Sequence, residues 1–195
     1  MSENTLKKLK EKIMKKALLV IDVQMAFVHD DANGASRSNL DASDNIATLL
    51  GEFRKRGDKV VHIHHHGQDA SDPFNPDLPG SAVQPFAAPL EGEDLVIKHG
   101  GSGFVGTPLE QILRDAGVER IVVCGATANH CAESTTRHAG DLGFDTYYTS
   151  DAVWAYSVTG PDGVEHTAEQ VHSMTLSTLH GEFATVVSTA QALEV

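Results

Sequence analysis

Six short runs rich in apolar and β-branched residues limit how this chain of 195 residues can fold: 17–21, 59–63, 93–97, 120–124, 144–149 and 183–187. The run Ile121-Val122-Val123 is the plainest, continuous rather than alternating, which marks a strand buried on both faces. Helical patterns stand between the runs. Ile46, Leu49, Leu50 and Phe53 form a stripe over 41–56 that Gly57 closes, and Thr107-Pro108 opens a helix over 109–116 that Gly117 closes. Residues 133–141 read as a third helix stopped by Leu142-Gly143, with Asn129 as the cap of the turn before it. Val164, Ala168, Val171, Met174 and Leu179 make a fourth helical face. Strands alternating with helices, without an internal repeat, predict one α/β domain of Rossmann-like type. Its six-stranded sheet is mostly parallel, with helices on both faces and right-handed crossovers.

That domain is expected over residues 17–195. Residues 1–16 carry six lysines against two acids and read as a basic tail or short helix, with Leu6, Leu9 and Ile13 along one face. A formal net charge of −12 argues against a nucleic-acid or anionic-membrane surface. No stretch suits a signal peptide or a membrane span. The two cysteines, Cys124 and Cys131, suggest no disulfide framework, so a cytoplasmic protein acting on a small molecule is expected.

Polar groups at the ends of the runs carry the chemistry. Asp22 follows the first run directly, Lys98 follows the third, and Cys131 lies in the turn after the fourth. Parallel strands place all three on the carboxyl edge of the sheet, where open α/β folds bind ligands. Cys131 in the first turn of a helix gains from the helix dipole, which favours a thiolate there, whereas Cys124 belongs to the buried strand. Gln24 and Phe27 follow Asp22 at the same edge, and Phe104 ends a glycine-rich stretch after Lys98. Trp154 is either a core anchor or a pocket wall, and His64 represents a substrate-facing imidazole from the second run. Neighbouring residues on a strand face opposite sides, so residues 62–66 are not expected to hold a metal, and no cofactor is expected. Residues 67–89, rich in proline and without a sustained period, read as a covering loop.

The segments Ala17-Leu18-Leu19-Val20-Ile21-Asp22-Val23-Gln24, Val96-Ile97-Lys98, Gly103-Phe104…Thr107…Leu109 and Gly125-Ala126-Thr127-Ala128-Asn129-His130-Cys131 resemble the isochorismatase-like cysteine hydrolases. That family includes nicotinamidases, N-carbamoylsarcosine amidohydrolases and ureide-cleaving amidases. Residues 142–145 and 179–187 look most like its streptothricin hydrolase branch. The resemblance implies a triad of Asp22, Lys98 and Cys131, a cis peptide at Ala126–Thr127, and an oxyanion hole from the N–H groups of Thr127 and Cys131. It also implies a homo-oligomer, for which Trp154 and Tyr156 suggest surface. Ala128 and Ala132 depart from the Thr and Val of many members, and residues 62–66 do not reproduce the nicotinamidase metal motif. Cys131 argues against vinyl-ether cleavage, since isochorismatases proper lack that cysteine. The expected activity is hydrolysis of an amide, ureide or lactam through a thioester. A small ester or cyclic imide is the alternative substrate, and a thiol redox or binding protein the alternative class.

Overall fold

The computed structural model describes residues 14–195. The tail expected over 1–16 lies outside the described residues except at its end, where Lys16 already opens the first strand. Six parallel strands form the main sheet: β1 (Lys16–Ile21), β2 (Lys59–His65), β3 (Asp94–Lys98), β4 (Arg120–Ala126), β5 (Asp145–Trp154) and β8 (Thr185–Val187). Their order is β3-β2-β1-β4-β5-β8. A small antiparallel pair, β6 (Val158–Thr159) and β7 (Glu165–His166), stands apart and has no counterpart in the expected elements.

The sheet is apolar on both sides because every crossover but that from β2 to β3 carries an α-helix. Along β1, Ala17, Leu19 and Ile21 join one core cluster, while Leu18 and Val20 join the other. The first cluster is closed by α3 (Leu109–Asp115), α4 (Glu133–Asp141) and α5 (Ala168–Leu179), through residues such as Leu113, Ala139 and Leu179. The second is closed by α2 (Ala42–Arg56), whose Ile46, Leu49, Leu50 and Phe53 are all buried. Each such side chain contributes about 1.5–3 kcal/mol when taken from water. Gly57 adopts φ 71 and stops α2 in the left-handed conformation.

Several boundaries differ from the sequence reading. Residues 25–32 form a helix, α1 (Met25–Ala32), rather than a loop, and Ser188 caps a last short helix, α6 (Thr189–Ala192). The fourth expected helix begins only at Ala168, because Thr167 and Gln170 form a reciprocal capping box and leave Val164 exposed. The fifth strand runs on through Ser150 to Trp154, a register shift between Val123 and Gly125 on the neighbouring strand absorbing the irregularity. Trp154 is therefore fully buried, and the Tyr156 hydroxyl is engaged with Asp31 at 2.8 Å. Trp154 thus supplies no surface of the kind that suggested a homo-oligomer, whereas Tyr156 is half-buried.

The strand order fixes where a site can form. From β1 the chain proceeds outward to β2 and β3, then returns across to β4 on the other side. A crevice opens at such a reversal, beyond the carboxyl ends of the two central strands. At that level the strands nearly touch. Gly125 has φ 115, and a Cβ there would lie 2.0 Å from the carbonyl oxygen of Ile21. Only glycine lets β4 pass so close to the end of β1.

Candidate functional site

Asp22 sits where β1 ends, at φ 50, a left-handed backbone that a non-glycine residue adopts at a cost. Its N–H donates to the carbonyl of Ile63 at 2.8 Å, so the bend is tied to β2. The bend buries the carboxylate, which is 2% exposed. Oδ2 accepts from Lys98 Nζ at 2.8 Å, and Oδ1 is buried with no hydrogen-bond partner among the described residues.

Lys98 reaches this point from β3, two strands away from β1. Adjacent strands lie roughly 4.8 Å apart, so only a long side chain can cross the intervening strand. It crosses at His65, its register partner on β2. The fully buried ammonium meets four acceptors: Asp22 Oδ2, Gly100 O at 3.1 Å, Cys131 Sγ at 3.2 Å and His65 Nδ1 at 3.4 Å. A lysine donates only, so Nδ1 of His65 is the bare nitrogen and Nε2 carries the ring proton.

Cys131 is presented by a turn wider than an α-helix. Thr127 continues extended from β4 at φ −89 and ψ 155, and residues Ala128–Ala132 form one π-helical turn. Ala132 N–H closes it on Thr127 O at 3.3 Å. Single π turns of this kind recur at functional sites. Two expectations are corrected here. The residue before the turn is Thr127, with Asn129 inside it, and neither side chain caps it. The Ala126–Thr127 peptide is trans, as is every peptide among the described residues, and Thr127 continues the extended backbone of β4 into the turn.

The charge state also differs from the expected thiolate. Burial pushes the Cys131 thiol up to about 12, the Asp22 carboxylate adds to this, and Lys98 opposes it. Burial likewise raises Asp22 above its ordinary 3.8 against the pull of Lys98. Burial therefore works against a thiolate on Cys131 in the resting site. The helix-start effect assumed from sequence is outweighed by desolvation. Cys124, fully buried, is raised further still by the same cause.

These groups open onto a cavity of about 620 Å³ lined by Asp22, His65, Thr127, His130 and Cys131, together with Phe27 and a stretch of the 67–89 loop that includes Asp69, Asp72 and Phe74. The structure thus brings together Asp22, Lys98, Cys131, Thr127 and Phe27. It does not bring in the other candidates. Gln24 is fully buried, its amide holding the N–H and carbonyl of His65 at 2.9 and 3.0 Å and Ser81 O at 2.8 Å. His64 lies beneath the surface near His62, its pKa lowered to about 4 by burial. Phe104 packs in the core on Phe144 and His138. Trp154 stands behind Phe27, edge to face at 5.6 Å. Sequence reasoning missed His65 and the loop carboxylates. His62 is taken by Glu93 at 2.9 Å, and no group of three or more potential metal ligands forms among the described residues.

An isochorismatase domain model matches residues 16–191. An isochorismatase family protein of Bacillus subtilis is 37% identical, covering 92% of this chain and 95% of the relative. Streptothricin hydrolase of Streptomyces noursei is 33% identical, covering 77% of this chain and 59% of that enzyme. The crystal structure of an isochorismatase-family protein from Chromobacterium violaceum superposes with a TM-score of 0.88 at 35% identity, over 92% of each chain. No helix among the described residues is long and apolar enough to cross a membrane.

Proposed function

Because the chain belongs to the isochorismatase family of hydrolases, we propose that it cleaves a C–N bond of a small amide, ureide or lactam through a thioester on Cys131. The observation that carries this reading is one ammonium, Lys98 Nζ, in contact with both the Asp22 carboxylate and the Cys131 sulfur at the floor of a cavity.

Asp22 takes the thiol proton as Sγ forms its bond to the carbonyl carbon. This transfer is uphill in the resting site, and Lys98 lowers its cost by facing the sulfur as negative charge reaches it. The N–H groups of Thr127 and Cys131, both residues on the cavity wall, are the proposed donors to the oxyanion. As the tetrahedral species collapses, the C–N bond breaks and the protonated Asp22 passes its proton to the departing nitrogen. Water then enters, loses a proton to Asp22 and attacks the thioester. Cleavage of the C–S bond returns the proton to sulfur.

A redox-sensing role fits less well, since it requires a thiolate at neutral pH and the Cys131 thiol is pushed up to about 12. The test is product release from matched ureides, carboxamides, lactams, imides and esters. Ammonia or amine release from at least one C–N class is expected, and turnover of esters alone would contradict the proposal.

A further inference from the structure

The part of the cavity lined by the 67–89 loop is acidic, and aromatic rings stand with it. Asp69 and Asp72 both line the cavity, and among the described residues neither takes part in an ion pair. The ammonium of Lys98 is engaged with Asp22, which leaves imidazoles as the basic groups on the wall. Asp69 is exposed, and the N–H and hydroxyl of Ser71 hold it below the usual carboxylate range, so it is ionised at neutral pH. Asp72 is close enough to act electrostatically on His65, the neighbour of Lys98. The same cavity is lined by two half-buried rings, Phe27 and Phe74, with centroids 5.2 Å apart at 61°. Aromatic faces attract cations and are indifferent or hostile to anions. The net charge of the whole chain, −12, steers diffusing ligands in the same sense.

Resting on the C–N hydrolase reading above, we propose that the substrate is a cation: an amide, ureide or lactam whose ammonium or guanidinium group is held by Asp69, Asp72, Phe27 and Phe74 while its carbonyl meets Cys131. An anionic substrate would bring a third negative charge against two unpaired carboxylates. A neutral substrate would leave both of them without a counter-charge.

Calorimetric titration with three probes of one shape, benzylammonium, benzyl alcohol and benzoate, tests this without turnover. Benzylammonium is expected to bind at least about tenfold more tightly than benzyl alcohol, the effect of one charge pair at partly solvated contact distance, with benzoate weakest. It is also expected to slow labelling of Cys131 by iodoacetamide. In Asp69→Asn and Asp72→Asn the amide oxygen can still accept from Ser71 and from Phe74 N–H, so the loop keeps its turns. Each variant should lose several-fold in benzylammonium affinity and leave benzyl alcohol unchanged. No binding of benzylammonium, no preference for it, or equal losses for both probes would overturn the proposal. An ammonium preference in a protein that releases no amine from any amide would keep it and remove the hydrolase reading. Turnover confined to neutral amides would do the reverse.

Discussion

Replacing Cys131 by alanine is expected to lower kcat for amine release by at least about 10⁴-fold, as removal of a covalent nucleophile does where binding groups remain. The fold should survive. The Cys131 side chain is only partly buried at the edge of the core, so its loss opens little internal space. Substrate KM, or the affinity of a competitive ligand, should move by no more than a few-fold, because Phe27, His65 and the loop residues are untouched. Removing Cys124 instead is expected to leave kcat unchanged, since its sulfur lies within β4 with Leu19 O as its contact. Steady-state kinetics on both variants checks the pair. A Cys131→Ala enzyme retaining a tenth of its activity would remove this residue from the mechanism.

Lys98→Met is expected to cost both activity and stability. Breaking a buried ion pair from one side leaves an uncompensated charge, typically about 3–5 kcal/mol. Asp22 is that charge, 2% exposed and without another partner at Oδ1. The sign of the pH dependence follows from its raised pKa. Below the ordinary value of 3.8 the carboxyl is protonated in both folded and unfolded chains, so the variant carries no buried charge. Above that value the unfolded chain ionises first. Between 3.8 and the wild-type folded-state value both proteins lose stability alike; the variant's deficit opens as pH rises through that wild-type value and is complete once pH passes the variant's own, which lies higher without Lys98. Urea denaturation of variant and wild type in acid and at neutral pH should show a small difference in the first and a large one in the second. Equal deficits at both would mean that Lys98 acts through packing alone.

The parts of this protein that were legible in its sequence share one physical cause. A strand buried on both faces has no polar positions to spare, so β1 and β4 read as continuous apolar runs and the first polar residue beyond each becomes conspicuous. Asp22 stands out that way, while Lys98 stands out at the end of the third run and Cys131 in the turn between the fourth run and a helix, all from placement rather than from any contact between them. The missed parts lack such contrast. In α1 only Ala26 is buried, and His29, Asp30 and Asp31 follow in succession, so no apolar stripe announces a helix. The sequence does not separate His65 from His64, because the choice among consecutive histidines depends on where β2 ends, and it runs two residues past the last apolar position. Trp154 was undecided because Ser150-Asp151 looks like a turn, whereas the strand carries through it. Asp69 and Asp72 lie in a stretch without periodicity, where only the folded path of the chain shows which side chains face the cavity. The thiol's raised pKa depends on burial by groups distant in sequence, which local helix arguments do not include.

Mass spectrometry of the enzyme quenched in acid during turnover of a slow amide or ester substrate tests the central claim most directly. A peptide containing Cys131 should gain the mass of the acyl group, the gain should disappear on treatment with hydroxylamine, and Cys131→Ala should show none. Steady turnover with Cys131 unmodified, and the acyl mass on another residue or on none, would contradict the thioester mechanism.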